Sequence, residues 1–264
     1  MAQKVIQVAQ FDNNKGFTLA QTIQELNARK LIILSTKFMD ERLVNSSEWK
    51  KERKVYPARC GPLVAYEETK DTKLGKEIIY NDPETGERYI FPVKLEFQGE
   101  KGLIAVEHNI ISNASTIDIK KDGKDYVFVI SSSASVVLEP NFPREDGWYL
   151  TNQFGIPIGE KVSSDLLDAR YLVQVDNGNF VGFFVRGGCY RGGYGGRRSV
   201  DLYDSWPSFR FGVLALESAS GAGAADLQKL VAEVEATLNV LVKNNVSTSL
   251  LKPIKELIEA VKNQ

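Results

Sequence analysis

The alternation of apolar and polar positions opens on one helix feeding one strand. In "FTLAQTIQELNARK", Leu19, Ile23 and Leu26 recur along one helical stripe, and Thr18 with Gln21 has the spacing of a capping box. "LIILST" follows as a short buried strand. "SSEWKKERKVY" carries charges from Lys50 to Lys54 and reads as the solvated face of a helix, a basic contact surface being the alternative. From about Pro62 to Pro140 the pattern turns to strands. "GKEIIYNDPETGERYIFPVKLEF" predicts an antiparallel hairpin around Pro-Glu-Thr-Gly, and "STIDIKKDGKDYVFVI" predicts another around Asp122-Gly123, where a tight turn needs positive φ.

Near Asn141 the stretch "PNFPREDGWYL" interrupts the strand pattern with two prolines and a glycine, and a domain boundary is expected there. Beyond it, "ARYLVQV", the turn "DNGN" and "FVGFFVRGG" predict a hairpin of residues 171–175 and 180–186, and "SFRFGVLALE" predicts a further strand over 209–216. After Ser218 a small-residue linker, "SASGAGAAD", leads to two amphipathic helices. Leu227, Leu230, Val231, Val234, Leu238 and Leu241 stripe the first, and Ile254, Leu257, Ile258 and Val261 the second, with Pro253 suited to its first turn. These helices are expected to pack on the body or on one another, self-association being the sharper alternative.

Between the last two strands lies the most unusual stretch. Residues 185 to 198, "VRGGCYRGGYGGRR", hold six glycines and four arginines. A connection of roughly twenty residues between strands is uncommon unless it has a function. A phosphate cradle would need a helix to begin directly afterwards, and "SVDLYDSWPSF" starts a helix poorly. Arginine–glycine segments that capture single-stranded nucleic acid by stacking are long and disordered, whereas this one is short and anchored. A plain glycine-rich connection through awkward backbone geometry is the other reading. Tyr190, Tyr194, Tyr203 and Trp206 supply rigid amphipathic area. Arg191, Arg197 and Arg198 supply donors, and Asp201 and Asp204 acceptors, a composition like that of an antibody combining site.

Composition narrows the classes of function. With 33 basic and 34 acidic residues there is no global field of the kind that drives non-specific DNA binding. The two cysteines, Cys60 and Cys189, make neither a disulfide framework nor a zinc cluster, so no metal and no cofactor is expected. The single histidine, His108, stands beside Glu107, but the sequence assembles no nucleophile, base and orienter around it; it is assigned no role and no enzyme activity is expected. The N-terminal residues lack an apolar signal-peptide core, and nowhere do about 18 apolar residues run together. A cytoplasmic or virion-associated protein without membrane contact is expected.

"VRGGCY", followed by "SFRFGVLAL" and preceded by "GWYL" and "ARYL", resembles the signature of the C-type-lectin-like fold of formylglycine-generating-enzyme relatives, phage tropism determinants and other retroelement-diversified variable proteins. In that family an Arg-Gly-Gly-Ser-Trp/Tyr strand leads into an irregular loop and then a Gly-Phe-Arg strand. The resemblance covers roughly residues 141–220. Here Cys189 stands in the serine position with no second cysteine after it, and Gly212-Val213-Leu214 stands for Gly-Phe-Arg. Formylglycine-generating activity is therefore not carried over, and calcium-dependent sugar binding is not expected either. The resemblance implies a scaffold presenting a variable loop, with the strands at 171–175, 180–186 and 209–216 in one antiparallel sheet.

The expected architecture is α+β. An antiparallel-sheet-rich region spans 1–140, a C-type-lectin-like ligand-binding domain 141–220, and a helical hairpin 221–264. The expected function is non-enzymatic binding of a protein or other macromolecular ligand through the 189–206 loop, with the C-terminal helices available for homo-oligomerisation. A nucleic-acid-binding module using the loop arginines and a self-assembling structural protein are the alternatives.

Overall fold

The computed structural model describes residues 5–7, 17–38, 58–67, 73–83, 85–111, 113–166, 168–173, 178–186, 199–202 and 212–217. The chain divides into two compact units, Met1–Ser218 and Ala219–Gln264, and every described residue belongs to the first. The charge run at Lys50–Lys54 and both C-terminal helices lie outside the described residues.

Helix α1 (Leu19–Ala28) begins as its sequence predicts. The Thr18 hydroxyl accepts from the Gln21 N–H at 3.3 Å, and the Gln21 side chain accepts from the Thr18 N–H at 3.0 Å. A cap of this kind contributes about 1 kcal/mol. Leu19, Ile23 and Leu26 are all buried, each stabilising the fold by roughly 1.5–3 kcal/mol. The helix ends where Lys30 takes up φ 53°, and the chain turns directly into β2 (Leu31–Ile33).

Most of the remaining described chain is sheet. Strands β3 (Ala58–Tyr66), β6 (Leu103–Val106), β11 (Val136–Glu139), β12 (Gly147–Thr151), β13 (Pro157–Ile158), β14 (Arg170–Val173), β15 (Phe180–Arg186), β16 (Ser199–Asp201) and β17 (Gly212–Glu217) join β1 (Val5–Gln7) and β2 in an eleven-stranded sheet. Its path runs β1-β17-β3-β15-β16-β14-β12-β13, with β2 on β17 and the pair β6-β11 on β3. β4 (Glu77–Asn81), β5 (Arg88–Pro92), β9 (Ile117–Asp122) and β10 (Asp125–Ile130) form a second sheet in the order β4-β5-β10-β9, and β7 (Ile110–Ile111) pairs with β8 (Ala114–Ser115). Both predicted hairpins of the middle region are present: β4 with β5, and β9 with β10 around Gly123 at φ 60°.

The centre of the large sheet is the pair β3/β15, aligned from Phe180 opposite Tyr66 to Arg186 opposite Ala58 with one irregularity at Phe183/Phe184. Arg59 to Tyr66 and Phe180 to Val185 are buried at every position, so both faces of this pair are covered and neither strand shows the alternation of a half-exposed strand. The second sheet packs close to β15. The Phe180 ring lies 5.5 Å from Tyr80 and 6.0 Å from Tyr66, and Asn179 Nδ2 donates to the Ile79 carbonyl at 3.1 Å. Gly182 leaves room for that ring, since a Cβ there would stand 2.7 Å from Phe180 Cζ. Strands from before and after Asn141 share the large sheet, and the proline-containing stretch between them packs on β3. The Phe142 ring lies 5.9 Å from Tyr66, and the Arg144 guanidinium sits 4.8 Å from the Tyr66 ring centroid.

Two expectations for the region after Asn141 are corrected. β14 and β15 are not hairpin partners; β16 lies between them, parallel to β14 and antiparallel to β15. The sheet is also mixed rather than wholly antiparallel, because β17 runs parallel to β3. β15 gives one edge to β3 along its whole length, and the other is taken by Ser199–Asp201, whose Val200 is fully buried. Among the described residues no helix is long and apolar enough to cross a membrane.

Candidate functional site

The glycine–arginine stretch leaves and re-enters the sheet at one level. Gly212 of β17 is opposite Ala58 of β3, Ala58 is opposite Arg186 of β15, Arg186 is opposite Val200 of β16, and Val200 is opposite Leu172 of β14. These residues make one row across the strands. Neighbouring strands are about 4.8 Å apart, so the exit at Arg186 and the final re-entry at Gly212 are separated by roughly 10 Å. β16 and β17 both run opposite to β15, so Ser199 and Gly212 start their strands at the end where β15 stops. Three of the four ends of segments 187–198 and 203–211 are thereby held at one end of the sheet by paired backbone. The fourth, Leu202, is buried, and its N–H donates to the Val173 carbonyl at 3.0 Å.

Of the residues expected to contact a ligand, Tyr190, Arg191, Tyr194, Arg197, Arg198, Tyr203, Asp204 and Trp206 lie outside the described residues. Asp201 is the last residue of β16, with its backbone opposite Val185 and Val173. The expected loop is therefore interrupted by a strand. The signal was the alternation Ser199, Val200, Asp201, Leu202, too short to stand out between glycines and tyrosines.

His108 follows β6 and is buried. Asn27 at the end of α1 donates through Nδ2 to the Ile117 carbonyl at 3.0 Å, which turns its Oδ1 toward His108 Nε2 at 2.9 Å. Nε2 therefore carries the ring proton, and Nδ1 presents a lone pair that has no hydrogen-bond partner. Burial pushes the imidazole down to about 4, so the ring is neutral at pH 7 and a weak proton acceptor. Cys60 is buried, and its thiol donates to the Phe184 carbonyl at 3.5 Å.

Glu139-Pro140-Asn141 spells the Glu-Pro-Asn tripeptide of calcium-dependent lectins, a match to be set against the expectation of no metal. Here Glu139 closes β11, and its carboxylate accepts from the Asn141 N–H at 3.3 Å and from Asn152 Nδ2 at 3.1 Å. Among the described residues no group of three or more histidine, cysteine, aspartate or glutamate side chains is placed to hold a metal ion. No protein-family model, curated protein or solved structure matches this chain.

Proposed function

We propose that the chain is a non-enzymatic ligand- or receptor-binding protein that uses residues 189–206 as its binding face. The observation that carries the reading is the row Gly212, Ala58, Arg186, Val200. It ties the ends of a tyrosine- and arginine-rich segment to the best-buried strands of the sheet, the arrangement by which a rigid scaffold presents a loop of variable sequence. On this reading the scaffold is of the C-type-lectin-like kind found in retroelement-diversified variable proteins, and 221–264 is a helical hairpin through which copies self-associate. The protein works in the cytoplasm or on a virion, and its partner is a protein or other macromolecule.

Nucleic acid is the rival partner, and salt separates the two. Wild type and a variant with alanine at Tyr190, Arg191, Tyr194 and Arg197 are compared for cross-linked partners in a lysate of the source cells and for retention on homopolymer RNA across a salt series. The expected result is a protein partner lost by the variant and little RNA retained at physiological ionic strength. Tight RNA retention that falls steeply with salt would assign the arginines to phosphates instead. An identical set of partners for both proteins would remove the segment from the binding face.

A further inference from the structure

On the outer strands of the large sheet one face packs on the core and the other does not. Tyr149 of β12, Leu172 of β14 and Val200 of β16 enter the hydrophobic core. Side chains alternate between the two faces along a strand, so Trp148 and Leu150 of β12 and Tyr171 of β14 point the other way. Trp148 is directly opposite Tyr171, and Leu150 is directly opposite Ile158 of β13, which puts all four on one face. Among the described residues, the core includes none of the four. The Trp148 and Tyr171 rings meet edge to face with their centroids 5.4 Å apart; both are half-buried, as is Ile158, and Leu150 is 43% exposed. Large apolar side chains gathered on the outer face of a sheet mark a contact surface.

This patch borders the glycine–arginine stretch. Tyr171 is directly opposite Ser199, the residue that follows 187–198, so Trp148 stands two strand spacings, roughly 10 Å, from the point where that stretch re-enters the sheet. Residues 185–198 hold four arginines and no aspartate or glutamate. The connection from β13 to β14 carries exposed Glu160, Asp165 and Asp168, while its Lys161 is bound to Glu145 at 3.0 Å. A ligand lying across the patch therefore meets positive charge beyond Ser199 and negative charge beyond β13.

We infer that this face anchors the partner of residues 189–206, and that the partner's contacting segment is an apolar stretch seated on Trp148, Leu150, Ile158 and Tyr171, followed by acidic residues that reach the arginines. The inference rests on the binding role proposed for 189–206 and adds the chemistry of what is bound. An aromatic pair fixed on a sheet supplies contact area at little entropic cost, and carboxylates form paired hydrogen bonds with guanidinium groups.

The chain has three tryptophans, so 5-fluorotryptophan labelling gives a short ¹⁹F spectrum in which Trp148→Phe assigns the Trp148 resonance. Three peptides are titrated at physiological ionic strength: Leu-Leu-Gly-Glu-Glu-Glu, Ser-Ser-Gly-Glu-Glu-Glu and Leu-Leu-Gly-Lys-Lys-Lys. The expected result is a saturable shift of the Trp148 resonance with the first, and binding at least tenfold weaker with either of the others. Leu150→Ser, a change at an exposed side chain, is expected to weaken the first peptide about fivefold. Alanine at Tyr190, Arg191, Tyr194 and Arg197 is expected to weaken it at least tenfold. A peptide that needs those arginines but is indifferent to its own leucines and to Leu150→Ser would overturn the patch alone and leave 189–206 as the binding face. Binding by the fourfold variant as tight as by wild type would overturn both. A Trp148 resonance unmoved by all three peptides, or equal binding of the lysine peptide, would also overturn the inference.

Discussion

Lys30 turns the chain from α1 into β2 at φ 53°, a backbone state that L side chains other than asparagine and aspartate rarely adopt. Glycine takes that state without the Cβ penalty, and the position follows the helix cap, where glycine is favoured. Lys30→Gly is expected to raise stability by about 0.5–1 kcal/mol, read as a higher urea midpoint, although the exposed bond from Lys30 Nζ to Asn113 Oδ1 at 2.8 Å is lost. His108 makes a prediction of opposite character. Its ring is pushed from 6.5 to about 4 by burial, so between those values the unfolded chain binds a proton that the native chain does not. The contribution is fully present above pH 6.5 and is lost as pH falls through about 4, a drop on the order of 3 kcal/mol. Urea midpoints at pH 7 and pH 4.5 measure it, and His108→Gln should show a smaller fall between the two.

β16 is the element on which the reading of the 185–217 stretch turns. Val200 is fully buried between β14 and β15, so Val200→Ala is expected to cost about 2 kcal/mol, whereas the same change in an exposed connection would cost no more than roughly 0.5 kcal/mol. Thermal melting distinguishes the two. What the sequence made legible follows from how local each signal is. The Thr18–Gln21 cap, the stripe of α1 and the hairpins β4/β5 and β9/β10 are set by residues within a turn or two of one another. The insertion of β16 between β14 and β15, and the parallel pairing of β10 with β5, depend on partners distant in sequence. The strand β15 is legible in its run of apolar residues, but which of them share a face is not, because both faces are buried and such a run carries no period. His108 gave no sign of its setting, since Asn27 and Ile117, which fix its tautomer, come from opposite sides of it in the chain.

At the scale of the whole molecule, the proposed function assigns stability to the described body and recognition to residues 189–206. The row Gly212, Ala58, Arg186, Val200 is where the two meet. If that division is right, substitutions in the segment should leave the body's unfolding alone, because exposed sites away from special features shift stability by no more than about 0.5 kcal/mol. The direct measurement is the melting temperature of the variant with alanine at Tyr190, Arg191, Tyr194 and Arg197, taken beside wild type and Val200→Ala. The account predicts that the fourfold variant melts within about 2 °C of wild type while Val200→Ala melts clearly lower. A fourfold variant that unfolds as early as Val200→Ala, or earlier, would contradict it and make those tyrosines and arginines part of the core.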